Sequence, residues 1–465
     1  MSEIKEKLPL SQKIHYALAN MSLNSLNGII GSGMIFFYTN KLLLDPDLVG
    51  IAWLIFGIWN AINDPLLGTL QDRTKTRMGR RIPYLRFGSF VYGALFILCW
   101  YPLGNIANEL VLFFNLLLAL CAFDTLFTML GCILYPLPAE IAIKSSNRST
   151  LMVWSNIIGG IFGLVTNVLV TYLLIGDEST EIHPLFKPAM IAIGILMSSI
   201  MFISSFFLKE NLYTVEEEPL GFIESFKETF KNRPFIIYEA GVFLFLIAQT
   251  MLTTGLLYYI NDVLNLSGIQ VVIPYVLLAL SQVGFSILAN RLVPIYGLKK
   301  LLIGGAIWVC GSLILMFGIG WWFIGALIGL LIASFGIAVV SLTSSPLFAD
   351  IIDYDEIQTG KRREASYSGI QAFLTKFCIS IGNWLFLFII KRFGYEANQT
   401  SQSQFAQLGI MLSMFVIPAI IAISTLLIVS YYPLYGPEWE QQKLELAKIH
   451  HEKEIEFLKK HKGLT

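Results

Sequence analysis

Long apolar runs separated by short polar loops fill almost all of this 465-residue chain. Each run has about 20 residues or more, which is the length that an α-helix needs to cross a bilayer. The pattern predicts an all-α membrane protein with twelve transmembrane helices. These cover residues 14–43, 48–70, 84–104, 109–143, 150–175, 186–208, 234–261, 268–292, 299–319, 322–351, 364–392 and 405–432.

The amino-acid composition argues against several classes of function. The chain is 55% hydrophobic and 14% charged, with a net charge of zero, so it is far more apolar than a soluble domain and does not suit a nucleic-acid partner. Its five cysteines lie in apolar runs without metal-ligand spacing, and we interpret them as packing residues. The sequence contains no phosphate loop, nucleophile elbow or soluble domain. We therefore expect neither an enzyme nor a bound metal or cofactor.

The distribution of Lys and Arg predicts the orientation in the cell membrane. Basic residues concentrate in the loops at 71–83, 144–148, 209–233, 291–300 and 359–363, while the alternate loops are nearly free of them. Loops rich in Lys and Arg stay in the cytoplasm, so both termini should be cytoplasmic. Lys391 and Arg392 fall on the other side, close to a helix end, where we expect them to extend to the interface.

The middle loop divides the chain into an N-terminal six-helix bundle (1–208), the loop itself (209–233), a C-terminal six-helix bundle (234–434) and a charged cytoplasmic tail (435–465). In the loop, Phe222, Phe226 and Phe230 recur every four residues. This spacing predicts a short helix, either on the membrane surface or packed against the bundle. The tail is expected to form a solvated helix.

Two pairs of motifs indicate an internal repeat. Residues Asp72–Arg81 resemble Asn290–Lys300, and Pro136–Ile141 resemble Pro346–Ile351, in the same order in both halves. Two matches in the same order predict parallel repeats related by an axis along the membrane normal.

Charged residues around these motifs are candidates for a gate on the cytoplasmic face. Acidic side chains beside several Arg residues at helix ends can pair with the other half and hold that face closed. The alternative is that the basic residues serve topology alone, although the acidic ones contribute nothing to topology. The predicted gate consists of Asp72, Arg73, Arg80, Arg81, Glu140, Arg148, Asp350 and Arg363.

The second apolar run carries the chain's most informative polar residues. Residues 50–70 are interrupted only by Asn60, Asn63 and Asp64. A carboxylate inside a membrane span is costly and is usually functional. We therefore predict that Asp64 is a working group and that Asp64-Pro65 is more than a kink.

Residues 58–85, Asn232–Phe235 and 349–371 resemble the glycoside–pentoside–hexuronide cation symporters, the branch of the major facilitator superfamily typified by the melibiose permease. The resemblance covers the whole chain and implies two six-helix bundles with alternating access. It also implies symport of a sugar, glycoside or other small polar solute with a proton or sodium ion. Alternatives with the same fold are a lysolipid or amino-acid transporter and an uncoupled facilitator. We expect a monomer to be functional.

The resemblance assigns a cation-coupling set. Of the two helix-two aspartates of the melibiose permease, the second matches Asp64, preceded by Asn63, and the first is replaced by Asn60. The fourth-helix threonine matches Thr128, and the central lysine of the eleventh helix matches Lys376.

The substrate-binding set departs further from the family. The helix-one aspartate falls at Asn24, with Asn27 in the same polar stripe, and the helix-four aspartate falls at Gly131. The family's fifth-helix arginine falls at Asn156, and a fourth-helix aromatic residue at Tyr135. Lys376 is shared with the cation set. The site thus keeps polar side chains but loses the carboxylates that bind sugar hydroxyls.

The coupling ion stays open at this point. If Asp64 and Lys376 approach each other, their charges cancel and leave little attraction for a bare cation. Either Asp64 carries a proton, or sodium binds through the oxygens of Asp64, Asn60, Asn63 and Thr128. Two further acids have no family role: Asp124 either replaces a lost charge or lies near the membrane surface, and Glu239 is expected at the interface.

Overall fold

The computed structural model describes residues 9–72, 82–135, 137, 138, 145–175, 182–208, 227–360, 363–397, 399, 401–446 and 448. Long helices dominate these ranges. They are α1 (Leu10–Phe36), α2 (Pro46–Asp72), α3 (Ile82–Cys99), α4 (Glu109–Leu134), α5 (Ser145–Ile175), α6 (Phe186–Ser204), α7 (Arg233–Tyr258), α8 (Ile273–Tyr296), α9 (Leu298–Ile319), α10 (Phe323–Thr359), α11 (Glu364–Arg392) and α12 (Gln404–Ser430, with a π-helical turn at Leu412–Val416).

Ten of these helices, α3 to α12, are long and apolar enough to cross a membrane. Helices α1 and α2 have 27 residues each and complete the predicted twelve. Several ends differ from the apolar runs: α5 begins at Ser145 rather than at 150, and α10 continues to Thr359 rather than to 351. Polar residues can extend a helix beyond the apolar core because water solvates their side chains at the membrane surface.

Glycines bring α2 close to α11, where the two halves of the chain meet. A Cβ atom at Gly50 would lie 3.0 Å from the indole Cδ1 of Trp384, and one at Gly57 would overlap the side chain of Ser380. Small residues allow such close helix approach in membranes. A larger residue at Gly57 would therefore push α2 away from α11.

Two matching π-helical turns support the predicted repeat. Helix α1 continues into a π-turn at Phe37–Lys41, and α7, the first helix of the second half, continues into one at Tyr259–Val263. Each turn is followed by a residue with positive φ, namely Leu43 (60°) and Asn265 (47°). The two halves thus end their first helices in the same way. The glycine of the first predicted repeat motif, Gly79, lies outside the described residues.

The tail is only partly solvated. Residues 437–446 form a helix, and its Trp439 is 4% exposed because it packs beneath the end of α10. In the middle loop, Phe230 packs against Phe235, with ring centroids 5.9 Å apart. This contact agrees with a segment packed against the bundle at that point, whereas Phe222 and Phe226 lie outside the described residues.

Candidate functional site

The two halves are joined by polar side chains at the face opposite the termini. Asn40 donates its amide hydrogen to the hydroxyl of Tyr395 at 2.6 Å, and that hydroxyl donates to Asp262 at 3.1 Å. Nearby, the hydroxyls of Thr39 and Tyr258 share a hydrogen bond of 2.6 Å. Asn40 and Thr39 belong to the first half and the others to the second, so these bonds hold this face closed.

Two ion pairs extend this closed face. Lys391 Nζ lies 2.7 Å from a carboxylate oxygen of Asp45, and Arg392 lies 3.0 Å from one of Asp47. The expectation that these two basic residues merely extend to the interface is therefore incomplete. They pair with Asp45, which directly precedes α2, and with Asp47 in the first turn of α2.

The cation-coupling residues of α2 face α4. Asn63, 1% exposed, donates its amide to Asp124 at 2.6 Å, and its amide oxygen accepts from Thr128 at 3.5 Å. Asp124 is 5% exposed and sits in the middle of α4, which favours the alternative that it replaces a lost charge. The structure thus brings together Asn63 and Thr128, as the resemblance implies, and adds Asp124 to them.

Lys376 reaches the same stretch of α2 from the second half. Its ammonium donates to the main-chain carbonyl of Asn60 at 2.9 Å, so α11 and α2 are linked by a polar contact. Asn60 is 9% exposed, and its side-chain oxygen has no hydrogen-bond partner among the described residues. The backbone of Asp64 lies one turn further along α2, and its side chain lies outside the described part.

A polar cavity of about 250 Å³ lies between α1 and α5. Six of its eleven lining residues carry an amide or a hydroxyl group, and no charged side chain lines it in the described part of the chain. Its lining comprises Asn20, Met21, Asn24, Ser25, Gly28, Ser155, Asn156, Gly159, Gly160, Gly163 and Asn167. The glycines of α5 leave room where side chains would otherwise fill the space.

Two of the predicted substrate residues, Asn24 and Asn156, line this cavity, whose lining does not include the half-buried Asn27. Tyr135 donates its hydroxyl to Asn24 at 3.3 Å from the end of α4. Gly131 lies beneath that ring, where a Cβ would be 3.0 Å from Tyr135 Cε2. Asn20 was missed by the sequence analysis. It donates to Ser155 at 2.6 Å and accepts from Asn24 at 2.9 Å.

The described partners of the predicted gate residues Asp350 and Arg363 lie in the tail, in the middle loop and in the second half. Asp350 accepts from the indole of Trp439 at 3.1 Å and lies 3.4 Å from Lys443 of the tail helix. Arg363 forms a two-pronged contact with Asp355, which raises the pKa of its guanidinium. Neither residue reaches the first half in the described part of the chain. The side chains of their predicted partners in the first half lie outside the described residues, so pairing across the halves stays a prediction.

The other gate candidates cannot be placed. Arg73, Arg80, Arg81 and Glu140 lie outside the described residues, and so do the side chains of Asp72 and Arg148 at the ends of α2 and α5.

Glu239, for which the sequence predicts a place at the membrane interface, is buried among helices. It is 4% exposed in α7, and the neighbouring polar group is Gln371 of α11. Neither carboxylate oxygen accepts a hydrogen bond of normal geometry from the described residues. Helix packing, rather than depth along α7, buries this side chain.

A family model described as "MFS/sugar transport protein" matches residues 15–436. The chain belongs to this family. It is therefore a membrane transporter of the major facilitator superfamily and not an enzyme. Among its relatives, the chain is 26% identical to the uncharacterized symporter YnaJ of Bacillus subtilis (strain 168), covering 96% of each chain. It is 24% identical to the glucuronide carrier protein homolog of Escherichia coli (strain K12), covering 93% of this chain and 94% of that one.

Solved structures show the same fold for this transporter. A bacterial homolog of the human lysosomal transporter Spinster aligns with a TM-score of 0.66 at 12% identity, over 92% of this chain and 98% of the other. The prediction of a twelve-helix major facilitator fold is confirmed.

Proposed function

We propose that this transporter carries a small polar solute, a sugar or glycoside, across the cell membrane together with a proton or sodium ion, as a functional monomer with both termini in the cytoplasm. The observation that carries the proposal is the cavity between α1 and α5, whose polar lining is rich in asparagine. The matching family model and the glucuronide carrier homolog support a sugar as cargo. The distribution of Lys and Arg supports the orientation.

The chemistry of the cavity suits hydroxyl-rich solutes. An asparagine side chain both donates and accepts hydrogen bonds, as a sugar hydroxyl does. Asn24 and Asn156 face the cavity from α1 and α5, and Tyr135 supports Asn24 from α4. A solute held between α1 and α5 can exchange bonds with these groups without a buried charge. This is consistent with the loss of the family's sugar-binding carboxylates.

Alternating access follows from where the halves are joined. The bonds of Tyr395 and the pairs of Lys391 and Arg392 close the face opposite the termini. Access from that face requires these bonds to break while the halves close on the other side. Asp350, which binds Lys443 of the tail, and Arg363, which binds Asp355, are predicted gate residues whose charges can serve that second closure.

The test is a thermal-unfolding screen of the purified protein against glycosides, glucuronides, amino acids and lysolipids, with and without sodium at two pH values. A ligand that binds only the folded state raises its stability by RT ln(1 + [L]/Kd). We expect stabilisation by a glycoside or glucuronide that Asn24→Ala abolishes. Asn115→Ala, which changes an asparagine near the opposite end of α4, should leave it intact. Stabilisation by a lysolipid or an amino acid alone would contradict the sugar assignment.

A further inference from the structure

We propose that Asp124 is a ligand of the coupling cation, and that it supplies from α4 the second carboxylate that α2 lacks at Asn60. The ion that this oxygen-rich site takes is sodium. The inference rests on the cation coupling proposed above, and it assigns a residue for which the family resemblance provides no role.

The position of Asp124 indicates a function. It is 5% exposed and lies midway along the 26-residue helix α4. A carboxylate at such a depth in a membrane protein is costly unless it pairs or faces an ion path. Asn63 donates its amide to the Asp124 carboxylate at 2.6 Å, and a hydrogen bond to a charged group offsets part of that cost. A bound cation would offset much more of it.

The hydrogen bonds around Asp124 connect it to the predicted cation residues. Asn63 bridges Asp124 and Thr128, which lie four residues apart and therefore on the same face of α4. Asp64 follows Asn63 directly in the sequence. The contact between Asn63 and Asp124 thus fixes the register of α2 against α4 at the point where the coupling residues lie.

A second, independent observation is the unsatisfied amide oxygen of Asn60. Asn60 is 9% exposed, and its Oδ1 accepts no hydrogen bond from the described residues. It lies three residues before Asn63, on the same side of α2. Hard cations bind carboxylate, amide and hydroxyl oxygens. Asn60, Asp124 and Thr128 offer one oxygen of each kind.

The formal charges of the coupling set, to which the resemblance assigns Asp64, also favour a bare cation. With Asp64 as its only acid, the set would have one carboxylate and one ammonium, that of Lys376, which contacts α2 at the carbonyl of Asn60. With Asp124 added, the set has two carboxylates and one ammonium. The net negative charge attracts a monovalent cation, whereas a neutral pair would not.

The experiment measures thermal unfolding of the full-length protein in detergent as sodium chloride replaces choline chloride at constant ionic strength. For the wild type we expect a saturable stabilisation by sodium. In Asp124→Asn the midpoint sodium concentration should rise by about 10-fold or more, because the loss of a ligand should cost at least as much as the loss of a group that only orients one. Asp124→Glu keeps the charge and should retain a sodium response at higher midpoint. Glu239→Gln, which removes a different buried carboxylate, should respond like the wild type.

The outcomes separate the two levels of the proposal. An Asp124→Asn protein with the wild-type midpoint would overturn the assignment of Asp124 while leaving cation coupling intact. A wild type that sodium does not stabilise would overturn the sodium site, and solute uptake into proteoliposomes under a proton gradient would then test proton coupling. If Asp124→Asn does not fold, the midpoint of Asp124→Glu decides: an unchanged value contradicts the assignment.

Discussion

Asn40 and Asp262 occupy matching places in the π-helical turns that end α1 and α7, and both bind the hydroxyl of Tyr395. Each residue belongs to a different half of the transporter. One side chain from the end of α11 therefore joins the two repeats at the face opposite the termini.

The first prediction concerns this hydroxyl. Tyr395→Phe removes two hydrogen bonds, one of them to a carboxylate, at a cost of about 1–3 kcal/mol. We expect the face opposite the termini to open more often. Hydrogen exchange measured by mass spectrometry should then quicken in segments 37–44 and 259–266.

A matched control for Tyr395→Phe is Tyr432→Phe, because the Tyr432 hydroxyl donates to Leu347 within the second half. In Tyr432→Phe the hydrogen-exchange rates of the same two segments should equal those of the wild type. Unchanged exchange in Tyr395→Phe would show that Tyr395 does not hold the halves together.

The ion pairs at the same face should contribute less. The side chains of Lys391 and Asp45 are 33% and 29% exposed, so water and salt screen the pair. A double-mutant cycle with Asp45→Asn and Lys391→Met should give a coupling free energy of about 0.2–1 kcal/mol that falls with added salt. A coupling free energy of several kcal/mol that salt does not change would contradict the expectation that the ion pair contributes less than the hydrogen bonds of Tyr395.

The tail helix should oppose closure at the face of the termini. Trp439 and Lys443 both bind Asp350, and Trp439→Phe with Lys443→Met removes both partners. Released Asp350 can then join the predicted gate, so closure at that face and opening at the other should increase.

Spin labels at Ile106, in the loop before α4, and at Ile269, in a short 3-10 helix before α8, can report that opening, because both side chains are exposed and they belong to different halves. In a background without the native cysteines, the distance between the labels should lengthen in the double variant. An unchanged distance distribution would show that the tail does not restrain Asp350.

The contact of the tail with Asp350 should withstand changes of pH near neutrality. Burial opposes the charge of Lys443, but a hydrogen bond to Glu440 and the nearby Asp350 carboxylate outweigh it and raise the pKa of Lys443. A raised lysine pKa gives stabilisation that is complete below the ordinary value of about 10.4 and is lost as pH rises through the folded value. The label distances should therefore be the same at about pH 6 and pH 8; a difference would contradict this.

Substitution of Asp64 should abolish coupling to the cation without abolishing solute binding. Asp64→Asn removes the only charged group among the predicted α2 cation residues Asn60, Asn63 and Asp64. We expect this variant to fold and to bind solute but to lose accumulation against a concentration gradient. Wild-type accumulation by Asp64→Asn would refute its role in coupling.

The fold was predictable because membrane spans need apolar runs of a fixed length, and the chain supplies them. The hydrogen bond between Asn63 and Asp124 could not be predicted from the sequence, because it depends on how α2 and α4 are aligned against each other. Glu239 shows the same limit. Its place near the start of α7 suggested the interface, yet neighbouring helices bury it.

The two π-helical turns have similar sequences. Residues 37–40 read Phe-Tyr-Thr-Asn and residues 259–262 read Tyr-Ile-Asn-Asp, each ending the first helix of a half. This similarity could have indicated the paired π-turns. The packing of Trp439 against α10 could not be predicted in this way, because a single aromatic residue in a charged tail does not reveal its partner.

The most direct test of the account is solute uptake into proteoliposomes that contain the wild-type protein, with an inward gradient of sodium, of protons, or of neither. We predict accumulation above the external concentration when one of these gradients is present, and simple equilibration without it. Accumulation that needs neither gradient, or equilibration under all three conditions, would contradict cation-coupled symport.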